Sequence, residues 1–173
     1  SDAIMKSPSN DPFTAAAVPV GGAYVGQLRA SNALSDLDGG ARYLQQALAL
    51  REGLPPKDQM YLEAWAAEVT SPNEALEKWR QMASIYPDFF SASANVGHAL
   101  HARNRYEEGL GYARRAASPK SEFARLSWDL VGRLALGMEG YAEAEQAFLK
   151  AGSAKGTSTN MRLADTYAAQ RKF

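Results

Sequence analysis

Between positions 55 and 151 the apolar residues return at intervals of three and four and never in simple alternation, a pattern that predicts short amphipathic helices and no strands. The stretches Ala92 to Arg103 and Tyr106 to Ala117 show it most clearly. Turn-forming residues mark the breaks. Ser71-Pro72-Asn73, Asn104 and Gly137 to Gly140 divide the helices into pairs, and Pro55-Pro56, Pro87-Asp88 and Ser118-Pro119 separate one pair from the next.

The pattern also copies itself. Ser93, Val96, Gly97, Leu100, Tyr106, Gly109, Ala113 and Ala116 are answered 35 residues later by Trp128, Val131, Gly132, Ala135, Tyr141, Ala144, Phe148 and Ala151. Gln59, Leu62, Glu63, Ala66, Ala75, Trp79 and Met82 form an earlier copy displaced by 34, closed by Pro87. A still earlier copy survives in its second half as Gly40, Leu44 and Ala47. A period of this length means helix pairs that cannot bury their apolar faces alone and gain a core by stacking on their neighbours. Small residues (Gly97, Gly109, Gly132, Ala75, Ala116, Ala144 and Ala151) allow close helix approach, and Trp79, Tyr106, Tyr141 and Phe148 fill the wider gaps.

These residues resemble the tetratricopeptide repeat, whose pattern is W-x2-L-G-x2-Y, then A-x3-F, then P. Trp128-x2-Val131-Gly132 with Ala144-x3-Phe148 carries it best; Ala75-x3-Trp79 with Pro87 is a second match, and Val96-Gly97 with Arg105 to Leu110 a third. The resemblance covers residues 55 to 151 and implies an all-α fold: a right-handed superhelical stack of helix-turn-helix pairs, an α-solenoid. The expected organisation is a linker-like segment 1–20, then a repeat domain 21–173 with units 21–54, 55–89, 90–123, 124–157 and a half unit 158–173. That half unit, opened by a helix from Asn160 to Gln170 with Leu163, Ala164 and Tyr167 in place, suggests a piece of a longer protein or an end that docks onto something. Three departures stand out. Glu63 takes the place of a small residue, and Gly109 and Ala113 stand where Ala and a large aromatic are usual, so looser packing is expected there.

Composition narrows the function classes. Nineteen basic side chains balance nineteen acidic ones in 173 residues, which speaks against a nucleic-acid surface, since that takes its affinity from clustered Lys and Arg. No apolar run of about 18 residues exists, so membrane insertion is not expected. The absence of cysteine removes disulfides and thiolate chemistry and leaves the compartment open, with the cytoplasm preferred.

Catalytic signals are missing: there is no Gly-rich phosphate loop, no G-x-S-x-G elbow, and no third ligand at helical spacing beside His98 and His101 to make a metal site. Neither cofactor nor metal is expected, and the chain is read as a non-enzyme. Arg103, Arg105, Arg114 and Arg115 read as a solvated outer face balanced by Glu107 and Glu108. The resemblance implies that the first helix of each unit lines a concave groove. Carried onto this chain, the peptide-binding positions are Lys57, Met60, Ala64, Ala94, Asn95, His98, His101, Leu126, Asp129 and Arg133. In co-chaperones of this family a clamp of basic and Asn residues grips acidic tails. Asn95 fits that clamp, but Met60, Ala64, Leu126 and Leu130 take its other places, so poor specificity for acidic tails is expected. The expected function is a protein-interaction scaffold holding a segment of another protein. The alternative is a regulatory or oligomerisation arm of a larger bacterial signalling protein (transcription regulator, kinase or nucleotide cyclase), suggested by the junction-like stretch Leu50 to Ala64, with homo-oligomerisation through the C-terminal half repeat.

Overall fold

The computed structural model describes residues 22–28, 37–152 and 157–170, and among these all regular structure is helical. The linker-like segment 1–20 lies outside them. Residues 22–28 form α1; α2 is Leu37–Ala49, α3 Pro56–Thr70, α4 Pro72–Ile85, α5 Phe90–His101, α6 Tyr106–Ala116, α7 Ala124–Gly137, α8 Tyr141–Ala151 and α9 Thr157–Ala169. A 3₁₀ turn, Arg51–Gly53, joins α2 to α3. The predicted breaks coincide with these boundaries, and the fold is an all-α succession of tetratricopeptide-like helix pairs. The chain divides between Ala75 and Leu76 into two compact units.

In the first unit, α2 packs on α3 and the 3₁₀ turn on α3. Pro56 opens α3, where its missing N–H costs nothing and its fixed φ suits the helix. Gln59 Nε2 donates to Leu54 O at 2.7 Å and ties the turn to the helix behind it. The unexpected Glu63 accepts from Arg51 across 3.3 Å, so a charge pair with the turn occupies the place where the repeat pattern has a small residue. Tyr24 stacks on Tyr43 at 6.4 Å between centroids, and Val25, Leu28, Ala47 and Leu54 are buried.

In the second unit α5 packs on α6 and α7 on α8, and the pairs join through α6 on α7 and α8 on α9. Among the described residues the core includes one cluster of Leu110, Ala113, Ala117, Leu130, Val131, Leu134 and Ala147, and another of Ala135, Ala144 and Phe148, against which Leu163 of α9 packs. Glycine sets the distances. A Cβ on Gly132 would lie under 3.0 Å from three atoms of the Phe148 ring, so that ring lies on bare backbone. Between α5 and α6 the packing is not loose, contrary to expectation. Leu130 reaches the face of Gly97 and Leu134 that of Gly109, each 2.9 Å from where a Cβ would be. Ala113 has no exposed surface. The volume missing from α6 is supplied by leucines of α7.

The turn within each pair repeats as well. Arg105 N–H donates to Leu100 O and Gly140 N–H to Ala135 O, at 3.0 and 2.9 Å, each closing its helix with a residue of positive φ: Asn104 at 57° and Glu139 at 59°. On the second helices a charge pair recurs in register. Arg80, ninth in α4, pairs with Glu108, third in α6; Arg114, ninth in α6, grips Glu143, third in α8, through two bonds of 2.9 and 2.7 Å. The basic cluster read from the sequence is therefore largely paired, Arg105 also meeting Glu108. Such exposed pairs contribute at most about 1 kcal/mol each, so they set register more than stability.

Two glycine substitutions separate packing from propensity. Gly132→Ala must displace the Phe148 ring and is expected to cost about 1–3 kcal/mol. Gly111→Ala, on the exposed face of α6 with nothing within 4 Å, is expected to gain about 0.5–1 kcal/mol. Urea midpoints moving in opposite directions would confirm both.

Candidate functional site

The groove positions expected from the sequence do not all share one environment. In the first unit Lys57 and Met60 are half-exposed on α3, but Ala64 has no accessible surface and belongs to the core, because its neighbours close over so small a side chain. Ala64 cannot meet a partner, and its assignment to the groove is corrected here. In the second unit Ala94 and Asn95 are half-exposed on α5, His98 is exposed, and His101 is half-exposed. On α7 Leu126 is 56% exposed, and Asp129 and Arg133 follow it at helical spacing, half-buried.

The structure brings four of these together. Arg133 Nη2 lies 3.4 Å from His98 Nδ1, and Arg133 Nε donates to Asp129 Oδ2 at 3.1 Å. Asp129 Oδ1 in turn accepts from Arg162 Nη1 at 2.7 Å and from the Thr159 hydroxyl at 3.4 Å. His101 sits behind this line with its ring 5.8 Å from that of Tyr106. A polar seam thus runs from α5 across α7 to α9. Arg162 and Thr159 were missed from the sequence. Their only signal was position, about one period after Asp129, in a helix taken as an unpaired remnant. In fact that helix is held on α7 by Asp129 and on the core by Leu163.

Electrostatics follow from the arrangement. His98 is held far below the ordinary imidazole value, to about 4, first by desolvation and then by the cationic Arg133 and His101, with Asp129 opposing weakly. Since guanidinium can only donate, His98 Nδ1 accepts, which places the proton of the neutral ring on Nε2. His101 is lowered for the same reasons, by burial and then by Arg133 and Arg162. Arg133 is itself lowered, burial outweighing the help of Asp129. Among the described residues no group of three or more His, Cys, Asp or Glu is placed to hold a metal ion, and no helix is long and apolar enough to cross a membrane.

No family model and no curated protein matches the chain. Solved structures do. A MamA mutant aligns over 95% of this chain and 91% of its own with a TM-score of 0.68 at 14% identity. MamA residues 41 to the end from Desulfovibrio magneticus RS-1 aligns over 88% and 86% with a TM-score of 0.60 at 15% identity. The crystal structure of MamA protein gives 0.61 over 88% and 83%, also at 15%. At such identity the likeness shows a shared fold.

Two outcomes test this geometry. Asp129→Ala leaves Arg133 and Arg162 facing each other without their shared acid and is expected to cost about 1–2 kcal/mol, read as faster amide exchange throughout α9. The histidine sign runs the other way from a salt-bridged one. The folded chain keeps His98 neutral while the unfolded chain takes up a proton near pH 6.5, so stability present above that pH is lost as pH falls towards 4. His98→Gln should flatten that decline in urea midpoints measured across the same range.

Proposed function

We propose that the protein is a non-catalytic interaction scaffold that binds a peptide segment of another protein on the face formed by α5 and α7. The observation that supports this reading best is the composition of that face. Exposed Leu126 lies beside the polar seam of His98, Asp129 and Arg133, which offers an apolar anchor together with directional donors, as grooves for extended or helical peptides do. The fold shared with MamA is compatible with such a role, since helical repeats present extended faces with no built-in chemistry.

The test is a pulldown from the source lysate with wild-type protein and with the triple variant Leu126→Ala, His98→Ala, Arg133→Gln. All three sites reach solvent, so circular dichroism should show an unchanged helical signal. Partners retained by the wild type and lost by the variant are the expected result; identical retention overturns the reading. The second reading, an oligomerisation arm, is favoured by the 63% exposure of Met161 on α9. Concentration-dependent solution mass that falls to the monomer on Met161→Lys would support it.

A further inference from the structure

The seam on α5, α7 and α9 carries an unbalanced charge. Two permanent cations, Arg133 and Arg162, face one acid, and that acid is fully engaged: Asp129 takes Arg133 on one oxygen, and Arg162 and the Thr159 hydroxyl on the other. Among the described residues Asp129 is also the acid that acts on either imidazole, while Arg133 acts against both and Arg162 against His101. The element packed against α5 from the other side, α6, contributes the Tyr106 ring, whose hydroxyl is turned to Asn104 Oδ1 at 2.6 Å. Among the described residues this cluster carries a net positive charge, and His98, exposed beside Arg133, marks where an anion would enter.

We infer that His98, His101 and Arg133 form a proton-coupled seat for one carboxylate of the bound peptide. This rests on the groove reading and adds the chemistry of the partner. The coupling is mechanical as well as electrostatic. In the free protein Arg133 Nη2 points at the unprotonated Nδ1 of His98. When Nδ1 takes a proton from solvent it can no longer accept, so it turns donor and the guanidinium nitrogen is released towards the carboxylate, giving two charge-assisted bonds in place of one weak contact. The carboxylate in turn supplies the negative field that the imidazoles lack.

The same face fixes the spacing of the ligand. Leu126 precedes Arg133 by two turns on α7, roughly 10 Å along the helix. An extended or polyproline-like segment rises about 3.1–3.4 Å per residue, so its apolar and acidic side chains should be about three residues apart. This seat differs from the clamp positions Met60, Ala64, Leu126 and Leu130, since its basic groups stand on α5, at another position of α7, and on α9.

The probes are the capped tetrapeptide Leu-Ala-Ala-Glu and its Leu-Ala-Ala-Gln twin, titrated into the full chain and followed by imidazole and amide resonances. The glutamate peptide is expected to move the His98 and His101 ring signals towards their protonated positions and to bind about tenfold more tightly near pH 5.5 than near pH 7.5. The glutamine twin should bind more weakly with a flat profile, and Arg133→Gln should erase the difference between the two. Equal affinities, or a flat profile for the glutamate peptide, overturn the inference; if Leu126→Arg still abolishes both, the groove reading survives alone. If neither peptide disturbs any amide of α5 or α7, the inference falls as well, and the pulldown then decides the groove reading by itself.

Discussion

The closeness of helix to helix at glycine is the constraint on which the second unit depends. Phe148 lies on the bare backbone of Gly132, and Leu130 and Leu134 fill the space left by Gly97 and Gly109. Phe148 on Gly132 and Leu134 on Gly109 join successive helices, and Leu130 reaches past α6 to Gly97 of α5, so each helix is positioned by its near neighbours in the stack. Because Leu130 and Leu134 of α7 plug the gaps in the preceding pair, the neighbouring Asp129 and Arg133 are held at fixed places beside them. Asp129 and Arg133 are thus aimed by packing that they do not take part in.

That arrangement explains why the site is polar. One carboxylate serves a guanidinium of its own helix and a guanidinium and a hydroxyl of α9, and it orients Arg133 against His98. The neutral imidazoles are a consequence first of their burial and then of where the arginines stand. Burial and positive neighbours act in the same direction here, so the two histidines remain uncharged without a dedicated partner to keep them so.

Much of the fold was legible because its determinants are local. Proline and asparagine punctuation, the return of small residues after 34 or 35 positions and the aromatic fillers located the helices to within a few residues. What stayed hidden was whatever depends on a partner helix. Ala64 and Leu126 look alike on a helical wheel, yet one has no exposed surface and the other is largely exposed, and only packing distinguishes them. Gly109 and Ala113 looked like gaps because the leucines that fill them come from α7. Arg162 was invisible as a site residue since its role is defined by an aspartate 33 positions away.

The charge pairs on the second helices carry one more implication. At both junctions an arginine in ninth place reaches forward to a glutamate in third place, so α6 carries an acceptor at its head and a donor further along. Such couplings are heterologous and open-ended. A tandem duplication that copied the pair α5 and α6 would find complementary charges waiting at both seams, so the array can lengthen in evolution without first inventing a new joint.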